Sequence, residues 1–353
     1  MKVLALTRYG RQGASSRLRI YQYVDPLRAL GIHAQVYPLL GDAYLANLYA
    51  GRRMNLVAVF QDYLKRVNEL ATAQDFDLVW IEKELFPNLP AWFEERLKTR
   101  GIPYVVDYDD AVFHNYDLSH IPWKRLLADK IDRVMRHSHA VIAGNRYLAE
   151  RAQRAGARRV EIVPTVIDLE RYTVAAPQSP EVITVGWMGS PSTVKYLDAI
   201  APTLASVAAD LPFRLRVIGA RFEAPGLEIE CRPWREESEI REIQELAVGI
   251  MPLLDSPWER GKCGYKLIQY MACGIPVIAS PVGVNQQIVA HERNGYLASS
   301  REEWAQAFRA MGSNESLRRF MGQQGRSDVE KQYCLQLTVN QVARIFHEIC
   351  EEV

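Results

Sequence analysis

An α/β architecture of two parallel-sheet domains is what this 353-residue sequence predicts, on three observations. Short β-rich apolar runs alternate with longer stretches of helical pattern along the whole chain, the mark of right-handed βαβ units. The runs number roughly a dozen, more than one ordinary doubly wound sheet holds. Between them, Thr173-Val-Ala-Ala-Pro-Gln-Ser-Pro180 is short, rich in proline and small residues, and without periodicity, which is linker composition.

The elements follow in order. In the first half, apolar runs at 2–6, 34–38, 78–81, 103–106, 140–143 and 161–163 are strands. In the second half the strands are 182–187, 214–218, 227–231, 249–252 and 276–279. Helical patterns occupy 52–71, 123–136, 146–155, 197–209, 237–246 and 265–273. The expected division is a first domain at 1–172, a linker at 173–181, a second domain at 182–334 and a closing helix at 335–353. That helix carries Leu337, Val342, Ile345 and Ile349 on one side, to close the second domain or pack back on the first.

Bulk composition excludes several classes. With 48% hydrophobic and 24% charged residues the chain is ordinary globular material. A net charge of +1, from 43 basic and 42 acidic residues, gives no electrostatic reason for nucleic acid as a partner. Residues 1–10 read as a first strand rather than a signal peptide, and no apolar run reaches the ~18 residues that span a bilayer. Cys231, Cys263, Cys273, Cys334 and Cys350 form no CxxC pair, so neither a disulfide frame nor a zinc site is expected, and a reducing cytoplasm fits.

In open parallel sheets ligands bind beyond the carboxyl ends of the strands, so the loop after each strand is the place to look. After 182–187, Gly189 lets backbone approach an anion, and Ser190, Ser192 and Thr193 offer hydroxyls and caps. The turn is neither a GxGxxG fingerprint nor a Walker loop. Further on, Gly261 and Gly264 lead into a helix whose start carries Lys262 and Lys266. Positive charge there opposes the helix dipole unless an anion occupies the site. Small polar residues after the next strand, Ser280 to Asn285, complete three anion-friendly turns, which points to a diphosphate ligand.

The first half has its own set. After the first strand come two glycines and two serines among Arg8, Arg11, Arg17 and Arg19. Arg8, Gly13, Ser16 and Arg17 are therefore expected to contact a phosphate or an acidic acceptor. After 103–106, Asp107, Asp109 and Asp110 crowd three carboxylates, and like charges that close raise at least one pKa. They are candidates for a metal, a base or hydrogen bonds to acceptor hydroxyls, and His114 beside them is a candidate active-site residue.

These residues carry a resemblance. Tyr270-Met-Ala-Cys-Gly-Ile-Pro-Val-Ile-Ala-Ser280 resembles a segment of the retaining glycosyltransferases of family 4. Val163-Pro-Thr-Val-Ile-Asp168 with Arg171 and Tyr172 is similar to that family's interdomain stretch, and Asn294 to Leu297 to one of its turns. The resemblance spans the chain and implies the GT-B fold: two Rossmann-like domains facing a cleft, with the final helix returning to the N-terminal domain. It implies a nucleotide-diphosphate sugar as donor and a glycan, lipid-linked or small-molecule acceptor, in cell-surface polysaccharide or glycoconjugate synthesis. No cofactor and no essential metal are implied.

Donor binding then falls to Gly189, Ser190, Lys195, Lys262, Gly264 and Gln269, with the base near Arg232 and Trp234. Lys266 supports the leaving diphosphate, and Asp109, Asp110 and His114 serve the acceptor. The family's two glutamates, with seven residues between them, are replaced here by Gly261 and Gln269. Gln269 remains able to hydrogen-bond ribose, and Glu259 or Asp255 are the candidates to stand in for the other.

Three further readings compete. A non-catalytic sugar-nucleotide-binding or scaffold protein is motivated by the two replaced glutamates. An NAD-dependent oxidoreductase is opposed by the missing GxGxxG. The basic stretch 123–136, with Lys124, Arg125, Lys130, Arg133 and Arg136 among apolar residues, could lie on anionic lipid at the inner face of a membrane.

Overall fold

The computed structural model describes residues 1–52, 54–174 and 182–352, with the backbone alone for Tyr49. From residue 175 on, the expected linker lies outside them. The chain divides into two compact units. The first comprises Met1–Thr165, Gly261–Cys263 and Leu335–Val353, and the second Val166–Arg260 and Gly264–Cys334.

The first unit is built on a six-stranded sheet ordered β2-β1-β3-β4-β5-β6, every pairing parallel. Its strands are β1 (Lys2–Tyr9), β2 (His33–Leu40), β3 (Leu78–Glu82), β4 (Tyr104–Tyr108), β5 (Ala140–Ala143) and β6 (Val160–Ile162). Every residue of β3, β4 and β5 is buried, as expected where helices cover both faces of a parallel sheet. Leu4, Ile81, Val106 and Val141 join Leu148 in one core. The helix Leu335–Glu351 packs in this unit, with Phe346 edge-on to Trp80 at 5.1 Å and Thr338 hydrogen-bonded to the Tyr23 hydroxyl at 2.8 Å.

The second unit holds a sheet ordered β12-β11-β10-β7-β8-β9, again parallel throughout. Here the strands are β7 (Ile183–Met188), β8 (Phe213–Ile218), β9 (Glu228–Arg232), β10 (Val248–Met251), β11 (Val277–Ala279) and β12 (Gly295–Leu297). One core gathers Ile167, Tyr172, Ile268 and Met271; the other gathers Trp187, Leu204, Val217 and Phe308.

Four expectations change. The turn at 294–297 contains a short edge strand, β12, whose three residues are too few to show periodicity. The helix expected from residue 52 begins at Leu56, where the Asn55 side chain accepts the Val57 and Ala58 amides. Stretch 123–136 is not one amphipathic helix but two, Pro122–Arg125 and Lys130–His137. Lys130, expected on a polar face, is buried, and its ammonium meets Glu84 and the Phe86 carbonyl, each at 2.5 Å. That buried pair removes one of the charges a lipid-facing stripe needs. Finally, Val166 to Tyr172, expected in the first domain, belongs to the second unit, since Ile167 pairs with Cys334 and Tyr172 is buried in that unit's core.

Among the described residues no helix is long and apolar enough to cross a membrane. Strand order places one crevice in each sheet, where successive connections leave in opposite directions. In the first unit it lies between β1 and β3; in the second, between β7 and β10.

Candidate functional site

In the second unit the carboxyl ends of β7, β8 and β9 are laced together. The Gly189 amide donates to the Ile218 carbonyl at 2.9 Å, and the Gly219 amide to the Arg232 carbonyl at 2.8 Å. A side chain at Gly189 would strike the Trp187 ring at 2.2 Å, so the turn is closed to anything but glycine. Part of its expected anion cradle is spent internally. The Ser190 amide donates to the Thr193 hydroxyl at 3.0 Å, and the Ser190 and Ser192 hydroxyls lie 2.9 Å apart. Lys195 opens the helix Lys195–Asp210, exposed, with its ammonium 5.3 Å from the centre of the Tyr196 ring.

Across the same crevice, helix Tyr265–Ala272 starts at Gly264, which must be glycine because its φ is 65° and a Cβ there would lie 2.4 Å from the Ile288 Cδ1. No side chain caps this helix, and its first turn holds no acid, so its end keeps the partial positive charge of its amides. Lys266 lies in that turn, its ammonium 5.1 Å from the centre of the Trp187 ring.

One turn further, Gln269 is 2% exposed. Its amide donates to the Tyr172 hydroxyl at 2.7 Å and to Glu239 Oε1 at 2.8 Å. Glu239 also accepts from the Tyr172 hydroxyl at 2.6 Å, and through Oε2 from the Trp234 indole at 2.6 Å. Burial raises the Tyr172 hydroxyl far above its ordinary pKa. Thus a carboxylate that the sequence did not single out lies 2.8 Å from the position where the resembling family carries one. Glu239 is 30 residues from Gln269, and no local spacing signals the contact.

Other donor candidates are tied up. Arg232 is held by Glu230 and Glu242, both at 2.7 Å, and by Glu245 at 3.3 Å. Glu259 is buried against the Tyr196 hydroxyl at 2.5 Å and the Ser256 hydroxyl. Asp255 is exposed and paired twice with Arg260, at 2.7 and 3.0 Å. Neither acid is placed as the stand-in for a glutamate at 261.

In the first unit the crevice between β1 and β3 gathers the second cluster. Lys83 holds a left-handed backbone, φ 64°, which only surrounding contacts sustain in a non-glycine residue. Its ammonium is 2.8 Å from Asp109, 3.0 Å from the Ser15 hydroxyl and 3.8 Å from Asp110. Burial works to lower the Lys83 pKa, but Asp109, Asp110 and Glu82 together carry it above its usual value. Asp109, though buried, is held below the carboxylate range by Lys83. Asp110 goes the other way, raised by burial and by Asp109.

Asp107 does not join them. Arg19 Nε donates to it at 2.7 Å, and burial pushes its carboxyl up to about 6 against that guanidinium. The metal reading of the three aspartates therefore fails: two are committed to cations. Among the described residues no group of three or more His, Cys, Asp or Glu is placed to hold a metal ion.

His114 has both ring nitrogens engaged, Nδ1 with Asp117 at 2.8 Å and Nε2 with the Tyr147 hydroxyl at 2.9 Å. Both of its nitrogens are thus already satisfied within the first unit. Ser16 and Gly13 likewise build the turn after β1. The Ser16 hydroxyl donates to Glu82 at 2.6 Å, and a Cβ at Gly13 would lie 2.5 Å from that of Tyr9. Arg17 is buried, with a 3.4 Å bond to the Arg11 carbonyl. Arg8 is half-buried at the mouth of the crevice, and its side chain makes no hydrogen bond among the described residues.

Residues 261–263 belong to this unit. The Asn145 amide donates to the Gly261 and Lys262 carbonyls at 2.9 and 3.0 Å, and the Cys263 thiol donates to the Asp109 carbonyl at 3.1 Å. A Cβ on Gly261 would fall 2.5 Å from the Ala111 Cβ and 2.9 Å from its amide nitrogen. The position is closed to a glutamate, or to any side chain. Lys262 is among the charges that restrain Asp110. It was expected to share a donor phosphate with Lys266; instead it is placed with the acids of the first unit.

Residues 3–165 match the family described as glycosyl transferase 4-like domain, and residues 179–314 match glycosyl transferases group 1. A curated relative, the N-acetyl-alpha-D-glucosaminyl L-malate synthase of Bacillus anthracis, is 26% identical over 168 residues, 45% of this chain and 44% of that protein. The match thus spans less than half the length of the relative. Among solved structures, the sucrose-phosphate synthase of Thermosynechococcus elongatus is similar over the whole of both chains, with a TM-score of 0.75 at 15% identity. The Anabaena protein Alr3699/HepE, solved in complex with UDP and glucose, is similar over 99% of this chain and all of its own, with a TM-score of 0.75 at 16% identity. At these identities the structural likeness speaks for the fold.

Proposed function

This chain belongs to glycosyltransferase family 4 and has the GT-B fold, and from that premise we propose that it transfers a sugar from a nucleotide-diphosphate donor to a hydroxyl of its acceptor. The observation that carries this reading is the β7/β10 crevice. There a glycine-only turn, an uncapped helix end and Lys266 converge where a parallel sheet binds ligands. In this reading the second unit takes the donor. Lys266 and the amides after Gly264 stabilise the charge that builds on the departing diphosphate, and Trp234 and Glu239 frame the nucleoside. The first unit takes the acceptor at the β1/β3 crevice.

In the transfer the bond from the anomeric carbon to the diphosphate oxygen breaks and one to the acceptor oxygen forms. The acceptor proton passes to the leaving phosphate, with retention of configuration. No cofactor or metal takes part. A small-molecule acceptor has support from the relative, which is named for joining an N-acetylglucosaminyl group to L-malate. A place in the cytoplasm, in glycoconjugate synthesis, completes the proposal.

The test is calorimetry of UDP, GDP and ADP on the intact protein. One diphosphate should bind, and Lys266→Ala should weaken it by about 1.5–3 kcal/mol, the range for a hydrogen bond to a charged group. No affinity for any of the three would sink the reading. The closed position at Gly261 favours one alternative, a sugar-nucleotide-binding protein without transfer. Tight donor binding with neither transfer nor slow donor hydrolysis would establish that alternative.

A further inference from the structure

We propose that the acceptor carries an oxyanion, a carboxylate or a phosphate ester, and that Arg8 binds it. The inference rests on the glycosyl-transfer reading and specifies its acceptor. Arg8 is the last residue but one of β1 and stands at the β1/β3 crevice. A guanidinium presents five N–H donors in a planar fork, and buried donors nearly always find acceptors. Arg8 departs from that rule. Its side chain is 24% exposed, yet Nε is fully buried with no hydrogen-bond partner. Its nearest carboxylate oxygen, Glu84 Oε1, is 3.8 Å from Nη1, beyond hydrogen-bond range.

Glu84 is not held open for it. That carboxylate is already met by the Lys130 ammonium at 2.5 Å and the Tyr116 hydroxyl at 2.7 Å. Glu82 on the neighbouring strand spends Oε2 on the Arg8 amide and the Ser16 hydroxyl. Lys83 is committed to Asp109. Lys83 and Lys130 thus each have a carboxylate oxygen within 2.8 Å, whereas the nearest one to the Arg8 fork is 3.8 Å away. The remaining contact, the Tyr9 ring at 5.5 Å, holds the guanidinium plane without using its N–H groups.

An orphan acceptor accompanies the orphan donor: Glu82 Oε1 is buried without a partner among the described residues, and Asp110, 3.8 Å from Lys83, has a side chain 30% exposed. A molecule that brings an anionic group for Arg8 and hydroxyl donors for the carboxylates satisfies both sets. A neutral sugar leaves the guanidinium unpaired.

The experiment uses the full chain in the presence of UDP and two matched pairs of probes: L-malate with L-malamide, and glycerol 1-phosphate with glycerol. Calorimetry should show the anionic member of at least one pair binding at least tenfold more tightly than its neutral counterpart. Arg8→Gln should abolish that preference, Arg8→Lys should restore part of it, and UDP affinity should stay within twofold in both variants. Which pair responds separates carboxylate from phosphate. Equal binding of neutral and anionic members, no binding by any probe, or an unchanged preference in Arg8→Gln would overturn the proposal. Loss of UDP binding in the unaltered protein, with the anion preference intact, would instead strike the donor reading and leave this one standing.

Discussion

Restoring the family's second glutamate should harm this protein. In Gln269→Glu an amide nitrogen 2.8 Å from Glu239 Oε1 becomes a carboxylate oxygen, between side chains 2% and 6% exposed. Two negative charges about 4 Å apart at an effective dielectric of about 20 repel by about 4 kcal/mol. That is a shift of about 3 pKa units, so one proton of the pair should leave near pH 7 rather than near 4.3.

The folded-state pKa is then raised above the unfolded one, and the folded state holds a proton that the unfolded state releases. The penalty is absent below about pH 4, grows to about 1 kcal/mol at pH 5, and is complete, about 4 kcal/mol, above about pH 7. Urea denaturation of the full chain at pH 5 and pH 8, followed by tryptophan fluorescence, measures it. Trp234, bonded to Glu239, lies at the site of the change. Adding Glu239→Gln exchanges the acid and the amide and should recover most of the loss. If Gln269→Glu matches the unaltered protein at pH 8 within about 0.5 kcal/mol, or if the double variant is no better than the single, the electrostatic argument is wrong.

Two further outcomes are expected. Gly261→Ala places a methyl 2.5 Å from the Ala111 Cβ, so it should cost about 1–3 kcal/mol by overpacking, measured by thermal melting, and Gly261→Glu should cost more. Arg19→Met leaves Asp107 buried and unpaired, which should destabilise the first unit by about 3–5 kcal/mol; Arg19→Met with Asp107→Asn should recover part of that, as a double-mutant cycle in urea would show.

The sequence by itself determined the architecture. Alternating apolar runs and helical patterns specify two parallel sheets because secondary-structure period is a local property. For the same reason the loops after β1, β4 and β7 could be named as sites before any strand order was known. Lys266 could be singled out as a candidate too, since a lysine in a first helical turn conflicts with the dipole of its own helix. What only the tertiary structure decided is which of these groups remain available. Gln269 meets Glu239 across 30 residues, Arg19 meets Asp107 across 88, and Asn145 reaches Gly261 across 116. Such contacts set burial and pairing, and those in turn set charge. His114, Ser16 and Glu259 read as functional because their chemistry is visible in the chain, whereas the partners that absorb that chemistry come from other elements. Arg8 is the reverse case: ordinary among four neighbouring arginines in sequence, it is set apart by a buried Nε that meets no acceptor, which packing decides.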